Sequence, residues 1–288
     1  MKMQMKGYRF IERYWKRFGL NWLFRRMGVS PNGYYNYMKH RKDAGKRKKT
    51  SALGKISAIY HESGGRPGYR MMQKLLEAKG ITLSVQTVRR YMNVELGLRS
   101  VTRKPKYRYR RGQENGEVFG NIINQDFTAK ERYTRFCTDI TYLFLADGRK
   151  RYNCTVIDLY DRAVVASVNS KKINSDLTIA ALSKALEKCP ETRGVIIHSD
   201  RGSQYTSAAF TGFCKSKGVV QSMSKPGYPY DNAPMERYFN TLKAELINLH
   251  RYVTEEELYE AIQMYAYGWY NNQRPHSFNN GLPPSKVA

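Results

Sequence analysis

Three acidic side chains sit in settings that suit phosphoryl transfer. Asp139 lies in Arg135–Leu145 (RFCTDITYLFL), Asp200 in His198–Tyr205 (HSDRGSQY) and Glu236 in Asp231–Glu236 (DNAPME). Hard divalent cations prefer oxygen donors, and Mg²⁺ takes a few protein carboxylates and completes its shell with waters and substrate phosphates. Two such ions about 4 Å apart activate the attacking oxygen and stabilise the leaving oxygen of an in-line displacement at phosphorus. Asp139, Asp200 and Glu236, carried on a strand, a strand end and a helix, would serve as catalytic and metal-holding groups, with two Mg²⁺ or Mn²⁺ ions per site. Each acid alone has a plainer reading: a part-exposed strand residue, a turn residue and a helix-surface residue. His198, Ser199 and Asp200 are adjacent, and adjacency is not triad geometry, so serine-hydrolase chemistry is set aside. The chain has no phosphate-cradling Gly-x-x-x-x-Gly-Lys loop, so no ATP requirement is expected.

The acids need a frame, and the carboxy-terminal half supplies one. Arg135–Leu145 and Tyr152–Tyr160 are rich in aromatic and β-branched residues and read as strands, with Asp147-Gly148 as the hairpin turn between them. Ala163–Val168 gives a third strand, Asn174–Lys188 a helix, Val195–His198 a short buried strand and Phe210–Lys217 another helix. The order β-β-β-α-β-α predicts an α/β sheet covered by helices. Gly227–Tyr230 reads as a loop ahead of the third acid. A helix then starts near Asp231 or Asn232, either of them as N-cap, with Pro234 tolerated in the first turn. Its apolar stripe is Met235, Phe239, Leu242, Leu246 and Leu249, and Glu236, Asn240 and Lys243 cluster off that seam. Thr254–Glu257 is a capping box opening a helix with Leu258, Ile262, Tyr265 and Trp269 on one stripe.

The charge is polarised. The 288 residues carry 50 Lys+Arg against 24 Asp+Glu, a net of +26, and residues 1–112 hold 29 of the basic and only 5 of the acidic residues. A basic half joined to a nearly neutral one points to a polyanion, most simply double-stranded DNA, since neutralising phosphates releases counterions. Residues 20–40 read as two helices turning at Gly28, with Ser30-Pro31 starting the second. Residues 70–97 repeat the theme, with Gly80 closing one helix and Ser84 capping the next. That last helix has Val85, Val88, Met92 and Leu96 on its apolar side and Gln86, Arg89, Arg90 and Asn93 on the side able to meet phosphates or base edges. Such pairs suggest helix-turn-helix units. Arg41–Lys49 and Arg99–Arg111 read as basic linkers, the second with Tyr107 and Tyr109 interleaved among residues such as Arg108 and Arg110. The expected DNA contacts are Arg89, Arg90, Arg108 and Arg110 in these segments and, in the other half of the chain, Lys225, Asn240, Lys243 and Arg274. No apolar run approaches the roughly 20 residues that span a bilayer and no signal peptide opens the chain, so no membrane partner and a cytoplasmic, nucleoid-associated location are expected. Cys137, Cys154, Cys189 and Cys214 are widely spaced, with no Cys-x-x-Cys pair, and read as buried thiols in a reducing cytoplasm rather than a disulfide framework or a zinc site.

The set Thr138–Tyr142 (TDITY), His198–Tyr205 and Asp231–Glu236, with 35 residues between Asp200 and Glu236, resembles the DDE transposases of the insertion-sequence-three family, second-frame product, and through them the retroviral integrases. Leu242-Lys243, Tyr270–Ser277 (YNNQRPHS) and Gly68–Arg99 add to the likeness. Phe136 stands where a tryptophan is frequent in the family, and there is no His/Cys zinc module. The resemblance implies a ribonuclease-H-like core of mixed sheet and helices, preceded by an all-α helix-turn-helix region. It implies metal-dependent cleavage of one strand at an element end and attack of the freed 3′-hydroxyl on another phosphodiester, in a copy-out, paste-in scheme. It also implies a homo-oligomer of at least two subunits and, in some members, an upstream-frame helix-turn-helix and leucine-zipper partner or fusion. The expected organisation is a helical region 1–50, a second helix-turn-helix region 51–98, a basic linker 99–118, a catalytic core 119–250 and a carboxy-terminal helix and tail 251–288. A catalytically inactive, sequence-specific DNA-binding regulator is the alternative, and a ribonuclease H or resolvase-type nuclease would cut without joining.

Overall fold

The computed structural model describes residues 2–101, 117–225 and 229–287. The chain divides into two units, one of Met1–Gly65 with Val85–Leu98 and one of Arg66–Ser84 with Arg99–Ala288.

The first unit is helical. α1 (Lys2–Phe18) and α2 (Leu20–Met27) lead into α3 (Pro31–Glu62), and α5 (Val85–Arg89) runs on as a π-helical turn, Arg90–Glu95. As expected, Gly28 ends α2 in the left-handed conformation (φ 60°), where a side chain would be strained, and Pro31 begins α3. Ile11, Leu23, Phe24 and Tyr34 form the small core of this unit. The linker reading of Arg41–Lys49 is corrected. α3 passes straight through it, because a run of Lys and Arg contains good helix formers and no proline. Lys49 is held there by an ion pair to Glu95 (2.5 Å) and lies over the Tyr91 ring. Of the predicted helix pair in 70–97, α4 (Tyr69–Ala78) belongs to the second unit and α5 to the first.

The second unit is a five-stranded mixed sheet between helices. β1 (Arg135–Phe144), β2 (Lys150–Asp158) and β3 (Val164–Ser170) form an antiparallel meander, and β4 (Ile196–Ser199) and β5 (Val220–Met223) add parallel strands on the other side of β1, in the order β3-β2-β1-β4-β5. β5 is an addition to the elements predicted; at four residues its pattern is too short to stand out. α6 (Ser175–Leu186) and α7 (Ala208–Lys217) cover one face, while α8 (Ala233–Glu245) and α9 (Glu255–Gln263), the latter extended by a π-helical turn at Met264–Tyr270, cover the other. The strand period of two sorts neighbours onto opposite faces. Phe136, Val156 and Val165 join the α6/α7 core, whereas Cys137, Ile157 and Val164 join the α8/α9 core. The Thr254 capping box forms as predicted, with Glu257 N donating to Thr254 Oγ1. Phe136 is fully buried in the apolar core, and the four cysteines are free thiols, with Cys189 the least buried. No helix among the described residues is long and apolar enough to cross a membrane.

Candidate active site

Strand register brings the first two acids together. β1 and β4 run parallel with Arg135 opposite Ile196, Phe136 opposite Ile197 and Cys137 opposite His198. Two residues further along both chains stand Asp139 and Asp200, the first still within β1 and the second just beyond the end of β4. Adjacent strands lie about 4.8 Å apart, and residues two apart share a face. Asp139 therefore shares the face of Cys137, which packs in the α8/α9 core. The helix on that face carries Glu236 in its first turn and Lys243 two turns later.

The launch of α8 is fixed to the strand ends by buried polar groups. His198 Nε2 bonds the Asp231 carbonyl at 2.7 Å, and because a carbonyl only accepts, the ring donates there and Nδ1 accepts from Ser222 Oγ at 2.8 Å. Burial holds this imidazole below its ordinary pKa, in keeping with a neutral ring. Asn232 Nδ2 reaches the carbonyl of Thr138, next to Asp139, at 3.2 Å. The Asp231 carboxylate accepts from Lys225 N, Asn121 Nδ2 and Gln125 Nε2 at 2.8–2.9 Å. Burial alone would raise its pKa, but these hydrogen bonds hold it below the ordinary value. Asn232 stands at the N-cap position, as the sequence allowed, but without the capping hydrogen bond. Neither side chain caps α8; both tie the helix start to the sheet and the loop beside it.

The electrostatics converge on Asp139. Burial, then the charge of Asp200, with a smaller push from Glu236, hold its carboxyl well above the ordinary carboxylate range, while a hydrogen bond from Ile140 N (2.7 Å) and the charge of Lys243 pull it back. Asp200 is exposed at the strand end, yet the protein around its carboxyl raises its pKa too, against a hydrogen bond from Gly202 N (2.9 Å). A Cβ at Gly202 would lie 2.9 Å from Asp200 Oδ1 and 2.7 Å from Gln204 Oε1, so a side chain there would push the Asp200 carboxylate or the Gln204 amide aside. Burial holds the Lys243 pKa below its ordinary value, against an opposing pull from the charge of Asp139. Two like charges brought this close repel, which is why the charge of Asp200 raises the Asp139 pKa. As the side chains stand, no three His, Cys, Asp or Glu residues among those described close into one metal-holding group. What Asp139, Asp200 and Glu236 share is an electrostatic neighbourhood.

The integrase core domain family matches residues 129–229 and, as a second segment, 217–284, and the HTH-like domain family matches residues 46–106. The transposase InsF of insertion sequence IS3A from Escherichia coli is 31% identical over 281 residues, 97% of each chain. This chain belongs to that family, the transposases of IS3-type insertion sequences. The putative transposase InsK of element IS150, also from Escherichia coli, is 34% identical over 230 residues, 80% of each chain. Among solved structures, the HTLV-2 integrase catalytic core domain in complex with magnesium is 22% identical, with a TM-score of 0.38 over 54% of this chain and 96% of that one. The integrase-type core and the HTH-like helical region ahead of it are thus the fold expected from sequence.

The remaining predicted contacts of this transposase-family chain fall in several places. Arg89 and Arg90 are exposed on α5 and its continuation, together with Gln86 and Asn93, while Val88 and Met92 are buried on the opposite side. Arg108 and Arg110 lie outside the described residues. Lys225 is exposed, and Asn240 and Lys243 are partly exposed. Arg274 is corrected. Its guanidinium is largely buried and pairs with Glu245 at 2.8 Å, and Tyr265 and Trp269 donate to the same carboxylate at 2.9 and 3.1 Å. Its charge is engaged by Glu245, so it is not the free surface cation that a polar tail suggested. Sequence reasoning missed His198 and Asn232 as positioning groups. Only their closeness to the acids hinted at it, because their partners Ser222 and Thr138 lie 24 and 94 residues away.

Proposed function

We propose that this chain is a DNA transposase that cuts one strand at an insertion-sequence end and joins the freed 3′-hydroxyl to a second phosphodiester. In the first step a water oxygen attacks phosphorus, the P–O3′ bond breaks and the 3′-oxygen takes a proton. In the second step the 3′-oxygen attacks another phosphorus and displaces that strand's 3′-oxygen. The observation that carries the reading is the β1–β4 register, which sets Asp139 beside Asp200 on the face where α8 presents Glu236. The donor set is three hard carboxylates, and the pKa of Asp139, raised chiefly by burial and then by the charge of Asp200, suits a carboxylate that gives up its proton to a cation. Asp139, Asp200 and Glu236 would hold Mg²⁺ or Mn²⁺, two ions in the full site, which supply the charge that activates the attacking oxygen and stabilises the leaving one. Lys243 would meet a DNA phosphate beside Asp139. Arg89 and Arg90, with Lys225 and Asn240, would add further contacts, and the basic segment with Arg108 and Arg110 would follow the backbone. Joining two ends calls for at least two subunits.

The test is strand joining on labelled element-end DNA. A joined product is expected with Mg²⁺ or Mn²⁺ and none with EDTA. Cutting without joining would make the protein a nuclease. Binding without either step would leave the inactive regulator.

A further inference from the structure

Glu236 and Arg237 are neighbours on α8, and consecutive helical residues point about 100° apart. On the Arg237 side, α8, the turn after β2 and the carboxy-terminal tail enclose a cavity of about 120 Å³. Arg162, Arg237 and Arg274 line it, with Thr241, His276 and Ser277. None of its lining residues among those described is Asp or Glu.

Two observations say what this cavity lacks. Arg162, held at φ 66° in the turn, lies 3.9 Å over the Phe278 ring and donates through Nη2 to Phe127 O, yet its Nη1 is buried with no hydrogen-bond partner among the described residues. The charges of Asp158 and Asp161 act on this guanidinium, but neither bonds Nη1, and a buried donor left without a hydrogen bond costs free energy that an anion reaching it would recover. Arg274 already has Glu245, so its charge is met from behind. His276 is pushed down to about 3 by burial and by Arg274, so its ring stays neutral and leaves the positive charge to the arginines. Hydroxyls of Thr241 and Ser277 add neutral polar groups to the wall. Planar guanidinium groups match the geometry of phosphate oxygens.

We infer that this cavity is an anion site for a phosphoryl group, supplied by a phosphate of the DNA backbone, gripped by Arg162 and Arg237 on the flank of the helix that carries Glu236. Seating a phosphate there would fix the strand's register against the acids. The DNA source rests on the transposase reading; the anion site itself does not.

The experiment uses the full chain and R237Q, whose side chain is exposed on α8 and whose loss leaves the core intact. Thermal unfolding is followed with millimolar inorganic phosphate against chloride at equal ionic strength, and duplex DNA binding is measured across a salt series. The expected result is phosphate protection that R237Q loses, with a log K against log salt slope shallower by about 0.9, the value for one phosphate contact. Lost protection with an unchanged slope assigns the same site to free phosphate. Equal protection in both proteins, or none in either, overturns the site. If neither protein binds duplex DNA, the transposase reading fails while the phosphate arm still decides the cavity.

Discussion

The two faces of the sheet are built differently. Under α6 and α7 Phe136, Val156, Leu182, Ile197 and Phe210 pack together, and the buried polar contact beside them is between neutral groups, Thr138 Oγ1 and the Tyr205 hydroxyl 3.1 Å apart. Under α8 and α9 apolar packing is interrupted by buried polar groups: Glu245 with Arg274, Tyr265 and Trp269, and His198 with Ser222 and Asp231. Apolar packing is non-directional and tolerates sliding by fractions of an ångström, whereas hydrogen bonds are short and angular. The acids lie on the face where direction is enforced. On the proposed reading α8 aims one carboxylate at two others and gains more from such fixation than from extra stability, since buried ion pairs are poor sources of stability.

Four experiments sharpen or break that contrast. The largest effect is expected from Asp139→Asn, which removes the central carboxylate. Joining should fall at least about 10³-fold, some 4 kcal/mol of transition-state stabilisation, while DNA binding and the melting temperature hold. Wild-type joining rates in that variant would remove Asp139 from the chemistry. Glu245→Ala strands Arg274 as an unpaired buried charge and should destabilise the core by about 3–5 kcal/mol in urea unfolding. A loss below 1 kcal/mol would show that the pair is not the brace described.

The pH dependence comes next. Burial pushes the Asp158 carboxyl up to about 6, above its unfolded value near 4, even though Tyr160 N and Tyr133 N donate to it. The folded state therefore holds the proton more tightly, so stability is greatest below about pH 4 as far as this group is concerned. It declines as pH rises through about 4 to 6, and the loss is complete above that. Asp158→Asn should flatten that decline by about 2 kcal/mol, read as the difference in unfolding free energy between pH 4.5 and 6.5. An unchanged slope would place the titration elsewhere. The smallest effect is expected from His198→Gln, which keeps one hydrogen bond to the α8 start. Joining per folded molecule should slow about tenfold with little change in melting temperature. A rate equal to wild type would mean the apolar stripe alone aims the helix.

Much of this was legible in the chain, for identifiable reasons. Strand alternation around Asp139, the flanking motifs of Asp200 and the stripe beginning at Met235 announce their elements because each is a local pattern. The approach of Asp139 to Asp200 is not local; it depends on the β1–β4 register between positions 61 apart in the chain, which no window of sequence contains. The run at Arg41–Lys49 misled because charge density imitates a solvated linker, while helix propensity and the partner Glu95 decided otherwise. Arg274 misled for the converse reason, since an arginine in a polar tail looks exposed until Glu245 closes on it. Asp231 has the residue type of a helix cap, but its partners come from Asn121 and Gln125, over a hundred positions upstream.

The parallel pairing of β1 with β4 has an evolutionary corollary. The hairpin, third strand and first covering helix between the two aspartates can lengthen or shorten without altering the carboxylate spacing, because the ladder measures it afresh at Arg135–Ile196. One residue inserted between Arg135 and Asp139, or between Ile196 and Asp200, would turn an acid to the far side of the sheet. Indels in related elements should therefore crowd into the intervening loops and avoid those two five-residue stretches.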